Sequence, residues 1–389
     1  MKVGLFIGTR PEIYIHATII ENLPKKIFNI LFFDVLEESG WFEKGVQYLT
    51  LNYPRPKETI KWMDLKSLED KVVELIEKYE LESIIVGGYS RTVYAVLYAS
   101  REKKVPVVHI GSGVRTYVKN YDEILRQVID RWSSIHIVNM EVNKGNLVSE
   151  GFDGKFIKVA GFTSVDAVLR NLSEAIKKSS ILDELSIDEN EYIAVYLNML
   201  NPMEVISDLI KLGEKFRMPI IISLPKNLKK ILMESGRYYK IMEDYDILFI
   251  EVLDYLDYLA LSYYSRMIIT DSYWIIPDLS IMKKPIAYYS KYPDPYNLMK
   301  YGVTDSIEPG AEDSFDKLVK LFNRKIKINL LPYLGNGEAT ERVIDFIKDY
   351  LYGGYPCECM ESNLVFKEDS TLSSLSIDEA VKMLQSTFK

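Results

Sequence analysis

The sequence predicts an α/β chain made of two halves, each built on a parallel sheet, and three observations carry that prediction. At 389 residues the chain is longer than one ordinary core organises, so two domains are expected. Short apolar runs alternate with helical patterns along most of its length, as in sheets covered by helices on both faces. The opening stretch Met1 to Glu12 (MKVGLFIGTRPE) condenses the pattern into strand, turn and helix start.

Lys2 to Ile7 has the length and content of a buried strand. Gly8 serves the tight turn. Thr9 and Glu12, three residues apart, form a capping box, and Pro11 lies in the first helical turn, where its missing N–H is harmless. The helical pattern runs through Leu23. Such a helix start offers backbone N–H groups and a partial positive charge, and Arg10 adds a full one. The combination suits an anion such as a nucleotide diphosphate; a plain β-α turn with a solvated Arg10 is the other reading. Further strands are expected at Ile30 to Val35, Ser83 to Val86, Val105 to Ile110, Ser134 to Val138 and Phe156 to Ala160, with helices such as Leu68 to Tyr79 and Arg91 to Lys103 between them. Asn171 to Asn190 is polar and carries no strand signal. A second series follows at Tyr192 to Leu197, Pro219 to Ser223, Ile247 to Ile250, Met267 to Thr270 and Pro285 to Tyr289. The domain expectation is therefore 1–170 and 191–337 with a 171–190 linker, a helix over 338–352, and a 353–389 tail with a short helical pattern from Ile377 to Gln385. Ligand is expected at the C-terminal strand ends, in a cleft facing both halves. GxGxxG is absent, so a nicotinamide cofactor has no support, and no cofactor is expected.

Composition narrows the function classes. The formal net charge of −8 argues against a general nucleic-acid binder. No apolar run is long enough for a membrane span, and a strand that begins at Lys2 leaves no room for a signal peptide. Cys357 and Cys359 are the only cysteines, and His16, His109 and His136 show no metal-ligand spacing. A cytoplasmic protein without a structural metal is expected. Ile, Lys, Glu and Tyr are heavily used and Gln occurs at only three positions, a bias of proteins from hot environments.

Several loops carry chemistry-bearing residues. Val107 to Thr116 (VVHIGSGVRT) reads as strand, glycine-rich turn and loop, and Val86-Gly87-Gly88-Tyr89-Ser90 ends another strand; glycines serving positive φ explain both turns. Tyr121 to Arg126 opens a helix whose two first-turn acids, Asp122 and Glu123, suit the dipole, with Asp122 and Arg126 spaced as an i, i+4 ion pair. A solvated helix start accounts for them. Thr270-Asp271-Ser272 ends a strand, and Ser272 can cap a helix and donate to a phosphate. The tyrosine-rich stretch Tyr288 to Tyr296 reads first as packing and second as a sugar-stacking rim.

These segments, taken in order, resemble the UDP-N-acetylglucosamine 2-epimerase family, which has two Rossmann-like domains in the glycosyltransferase-B arrangement. Gly8-Thr9-Arg10-Pro11-Glu12 resembles its opening motif. His109, Gly113, Arg115 and Thr116 match its His-Glu-Ala-Gly-Leu-Arg-Thr region, where Gly111 replaces a catalytic Glu. Tyr89 stands where the family has a catalytic Asp. Asp122 takes the place of the catalytic Glu of Pro-Glu-Glu-x-Asn-Arg, on a shorter stem, and Arg126 matches its arginine. Gly161 to Ala167 resembles Gly-Asn-Thr-Val-Ile-Asp-Ala. Asn198 replaces the family histidine and cannot change its protonation near neutral pH. Thr270-Asp271-Ser272 matches in residue type, but Tyr273 and Trp274 replace two glycines; Asp278 falls where a Glu binds the ribose, with Pro277 beside it. Pro332 to Arg342 resembles Asn-Pro-Tyr-Gly-Asp-Gly-x-Ala-Ser-Glu-Arg, leading into a helix that in this architecture crosses back to the first domain.

The resemblance implies inversion of C2 in UDP-N-acetylglucosamine, giving the manno sugar by elimination and re-addition of UDP. Candidate catalytic residues are Asp122, Glu123, Tyr89 and Asn198. Candidate substrate contacts are Arg10, Arg115, Arg126, Ser272, Tyr273 and Asp278. The partner implied is UDP or UDP-N-acetylglucosamine, with a homodimer left open. Because several acid–base positions are replaced, two alternatives stand beside a divergent epimerase: another nucleotide-sugar enzyme, such as a glycosyltransferase or UDP-releasing hydrolase, and a non-catalytic nucleotide-binding homologue.

Overall fold

The computed structural model describes residues 1–36, 54–118, 120–198, 200–292 and 294–352, with Glu379, Lys382 and Met383. Cys357, Cys359 and most of the Ile377 to Gln385 pattern lie outside them. The chain divides into two units, Met1–Ala167 with Tyr333–Lys389, and Val168–Pro332.

Among the described residues the first unit holds seven parallel strands: β1 (Lys2–Ile7), β2 (Asn29–Leu36), β3 (Glu58–Lys61), β4 (Ser83–Gly87), β5 (Val107–Ser112), β6 (Ile135–Val138) and β7 (Ile157–Val159). Their order is β3-β2-β1-β4-β5-β6-β7, so the winding reverses between β1 and β4. In open sheets of this kind that reversal opens the ligand crevice at the strand C-termini. β4, β5 and β6 are buried at every residue, which is why they appear in the sequence as continuous apolar runs. The second unit repeats the plan with β8 (Ile193–Tyr196), β9 (Ile220–Leu224), β10 (Ile247–Glu251), β11 (Met267–Thr270), β12 (Ile286–Tyr289) and β13 (Thr304–Ile307). Their order is β10-β9-β8-β11-β12-β13, all parallel, with the reversal between β8 and β11. Ile193, Val195, Ile220, Ile222, Met267 and Ile269 form the centre of its core.

Each strand expected from an apolar run is present or overlapped. Two strands gave no such signal, β3 (ETIK) and β13 (TDSI). Both are sheet edges, where a four-residue strand with polar side chains on its open side loses little. The 171–190 stretch is largely helical: Thr163–Lys178 runs into it and Ile181–Leu185 follows.

The first unit also contains the closing helix Ala339–Tyr352, which packs on the helix Arg10–Asn22. Two segments far apart in sequence meet here. The Phe162 N–H donates to Leu334 O at 2.9 Å, and Arg342 Nη1 reaches Ala160 O and Gly335 O at 2.9 and 2.7 Å. Buried Asp166 accepts both the N–H and the hydroxyl of Thr340 at 2.7 Å, and Thr18 Oγ1 lies 2.6 Å from Thr340 Oγ1. Thr340→Val keeps the volume but leaves Asp166 one donor short, so a loss of about 1–3 kcal/mol is expected. Thermal melting reads it as a lower midpoint; an unchanged curve contradicts the assignment.

Candidate active site at the strand ends

The loops leaving the C-terminal strand ends are held by buried carboxylates. At the end of β1, Glu12 is 1% exposed, and its Oε2 accepts the N–H groups of Gly8 at 2.7 Å and Thr9 at 3.2 Å. The capping box therefore exists, but it uses the donors expected to face an anion. This corrects the picture of a turn with open N–H groups. Gly8 is required for packing: a Cβ there would come within 2.0 Å of Thr92 Oγ1. Half-buried Arg10 directs Nε to the Tyr14 hydroxyl at 2.6 Å, with its guanidinium carbon 5.8 Å from the Tyr14 ring centre.

The ends of β4 and β5 converge on Asp130, a fully buried residue near the end of the helix Tyr121–Trp132. Its carboxylate accepts from Ser112 Oγ at 2.6 Å, Arg115 Nη1 at 2.7 Å, the Gly113 N–H at 3.1 Å and the Tyr89 hydroxyl at 3.2 Å. His109 Nδ1 lies 3.0 Å away, and its Nε2 is 2.8 Å from Gly88 O, which ties the β4 turn to the same hub. Gly111 and Gly113 adopt φ of 85° and 77°, the left-handed region that favours glycine. So the glycine that replaces the family's glutamate does have a backbone reason.

Charge sets protonation here. Burial alone would raise Asp130, yet the Arg115 charge and the hydrogen bond with His109 outweigh it and hold the carboxyl below the usual carboxylate range. Tyr89 moves the other way, because burial and then the Asp130 charge push its hydroxyl well above 10. That direction keeps Tyr89 protonated and opposes any role as a base. His16 and His136 are both driven down to about 3, chiefly by burial, and so are neutral.

The remaining candidates separate clearly. Arg115, expected as a diphosphate contact, has a side chain 1% exposed and fully engaged, with Nε and Nη2 on Glu150 at 2.6 and 2.8 Å and Nη1 on Asp130 and Val114 O. A buried bidentate pair consumes the guanidinium fork, which argues against the expected diphosphate contact. Glu123 is likewise buried, not solvated. It accepts the Thr116 N–H and hydroxyl at 2.9 and 2.8 Å and Arg126 Nη1 at 3.0 Å. The expected Asp122–Arg126 pair is thus replaced by a Glu123–Arg126 pair, because Glu123 lies on the inward face of the helix. Asp122 is exposed and stands outside this network.

In the second unit, Asp271 at the end of β11 is 2% exposed. Its carboxylate accepts the Asn198 N–H at 2.9 and 3.0 Å and the Leu200 N–H at 2.7 Å, fixing the loop after β8 and leaving Asn198 exposed. Tyr273–Ile275 forms a single 3₁₀ turn before the helix Ile276–Ser280. Pro277 therefore falls in a first turn and breaks no helical bond. Ser272 and Asp278 are buried, and Tyr273 packs its ring on Trp274 at 4.7 Å and Tyr296 at 5.9 Å. Asp294 accepts the Tyr296, Leu298 and Met299 N–H groups. The roles of Asp130 and Asp271 carry no sequence signal; each is visible only when a distant loop is placed against it.

A family model described as UDP-N-acetylglucosamine 2-epimerase matches residues 65–348. A UDP-N-acetylglucosamine 2-epimerase of Methanocaldococcus jannaschii is 28% identical over 91% of this chain and 100% of its own length. One from Neisseria meningitidis is 24% identical over 74% of this chain and 82% of its own. Among solved structures, M. jannaschii UDP-GlcNAc 2-epimerase in complex with UDP-GlcNAc and UDP is similar with a TM-score of 0.79 at 24% identity, covering 90% of this chain and 99% of that one. S. aureus MnaA with UDP gives a TM-score of 0.80 at 22% identity, covering 90% and 97%. At such identities these structures speak for the fold.

Asp130→Asn keeps the shape of the hub and removes its charge. Loss of one partner from so buried a cluster is expected to destabilise by about 3–5 kcal/mol. Because the folded value lies below the ordinary 3.8, Asp130's contribution is complete above that ordinary value and is lost as pH falls through the folded value. Melting followed from pH 7 down to pH 2 should show a steeper acid limb in the wild type than in Asp130→Asn; parallel limbs contradict the hub.

Proposed function

The chain belongs to the UDP-N-acetylglucosamine 2-epimerase family, and from that membership we propose that it interconverts UDP-N-acetylglucosamine and UDP-N-acetylmannosamine. The family match over both units carries this reading; the buried network supports the following division of work. The C2 proton passes to a carboxylate while the C1–O bond to UDP breaks, its electron pair leaving on the phosphate oxygen. The products are UDP and a 2-acetamidoglycal. Re-addition of UDP to C1, with a proton delivered to the opposite face of C2, completes the inversion.

Asp122 is the base in this reading. It lies in the first turn of its helix, and its exposure leaves it available to a ligand while Glu123 is committed to Thr116 and Arg126. Tyr89, which burial and the Asp130 charge keep protonated, is assigned an ordering role at the β4 end and no proton-transfer step. Arg10 is the diphosphate cation of the first unit, and Arg126, on the same helix as Asp122 and paired with Glu123, is the second cation assigned to it. Arg115 becomes a positioning residue. Ser272, Tyr273, Asp278 and Asn198 are assigned to the nucleotide in the second unit. A cytoplasmic setting belongs to the same proposal; among the described residues, no helix is long and apolar enough to cross a membrane.

The test is the reaction in deuterated water with UDP-N-acetylglucosamine. Deuterium at C2 of both sugars, with UDP regenerated into product, is the expected result. Release of UDP without label supports a transferase or hydrolase instead, and no reaction with retained UDP binding supports a non-catalytic homologue. For Arg10→Ala, UDP affinity should fall by roughly 1.5–3 kcal/mol, the worth of a charge-assisted contact; unchanged affinity by calorimetry removes Arg10 from the site.

A further inference from the structure

Tyr117 is in a backbone state that bulky residues rarely adopt. Its φ is 58°, in the left-handed region, where a bulky aromatic residue is a real outlier. Strain of this kind persists where the surroundings impose it, and it gathers at ligand sites. The surroundings here are specific. On its N-terminal side, Thr116 is pinned to Glu123 through both N–H and hydroxyl. On the side-chain end, the Tyr117 hydroxyl donates to Asn146 Oδ1 at 2.5 Å, and buried Asn146 donates Nδ2 to Gly113 O at 2.8 Å. The ring is thus fixed at both ends, yet the residue remains 67% exposed. An exposed ring returns little packing energy for the strain, so stability alone gives no reason for it.

We propose that Tyr117 is a specificity-determining sugar contact, its ring offering a fixed platform to the apolar face of the N-acetylhexosamine. The assignment rests on the epimerase reading and deepens it. Three observations support it. Tyr117 lies in the loop leaving β5, a central strand, at the end where open sheets bind ligands. Five residues on comes Asp122, the exposed carboxylate of the following helix start. Arg115 and Glu123 are already paired internally, whereas the exposed Tyr117 ring is aromatic and suited to C–H faces of a sugar. A preset ring also loses little conformational freedom on binding.

Two variants separate stacking from structure. Tyr117→Gly suits the left-handed backbone and removes the ring. Tyr117→Phe keeps the ring and loses only the Asn146 bond. Calorimetry with UDP-N-acetylglucosamine and with UDP, alongside melting and light scattering, makes the test. The expected result for Tyr117→Gly is a five- to twenty-fold weaker UDP-N-acetylglucosamine affinity, an unchanged UDP affinity and a melting temperature no lower than wild type. Tyr117→Phe should stay within about three-fold. Sugar affinity undiminished in Tyr117→Gly overturns this assignment alone. Equal weakening toward UDP and the UDP-sugar overturns it too, since the ring then acts on the nucleotide. A change in molecular mass without a change in sugar affinity makes Tyr117 a contact between copies and also overturns it. Failure of the wild type to bind UDP-N-acetylglucosamine overturns the parent reading first, and this one with it.

Discussion

Buried carboxylates accepting main-chain N–H groups are the constraint on which the rest of this structure depends. Glu12 holds the β1 turn, Asp130 the β5 turn, Glu123 the loop that follows it, Asp271 the loop after β8, and Asp294 the loop beyond β12. Each solves the same problem. A parallel sheet delivers its strands to irregular loops whose N–H groups have no ladder partner, and a buried N–H without an acceptor is expensive. A carboxylate accepts two or three such donors at once, and charge assistance makes those bonds stronger than a neutral acceptor would. The expense of burying the charge is offset where a cation joins the cluster, as Arg115 does at Asp130.

This constraint also sorts the chemistry. A carboxylate holding a loop is poorly placed to exchange protons in a catalytic cycle, because each protonation would release a donor. Glu12, Glu123, Asp130 and Asp271 are structural acceptors on that ground, and Arg115 belongs with them. Asp122, next to Glu123 but on the outer side of the same helical turn, escapes the network. One position in a helix therefore separates a buried acceptor from an exposed carboxylate, the one proposed above as the base. Tyr89 is a middle case: its hydroxyl donates to Asp130 and accepts the Val114 N–H at 3.1 Å, so it orders the β4 end while keeping its proton.

Much of the fold was legible in the sequence because buried parallel strands leave continuous apolar runs. β3 and β13 escaped notice as short polar edges. The Thr9–Glu12 capping box was legible too, since its partners are three residues apart. What it does to the turn was not: the reciprocal bonds show that Glu12 occupies the N–H groups that a local reading leaves to a ligand. The Asp122–Arg126 spacing permits an ion pair, but helix facing decides the outcome, and the burial that draws Glu123 inward takes Arg126 with it. Asp130 could not be singled out, because its partners come from residues 89, 109, 112, 113 and 115, and only the fold assembles them. The strained φ of Tyr117 likewise has no counterpart in composition or spacing.

The central claim is the division of labour in the first turn of the helix Tyr121–Trp132, with Asp122 chemical and Glu123 structural. The most direct test measures C2 deuterium incorporation and melting temperature together in Asp122→Asn and Glu123→Gln. For Asp122→Asn the prediction is loss of exchange at an unchanged melting temperature, with UDP affinity within a few-fold of wild type. For Glu123→Gln it is a lowered melting temperature, with any fall in exchange following the loss of folded protein. Exchange that survives in Asp122→Asn, or vanishes in a fully folded Glu123→Gln, would contradict it.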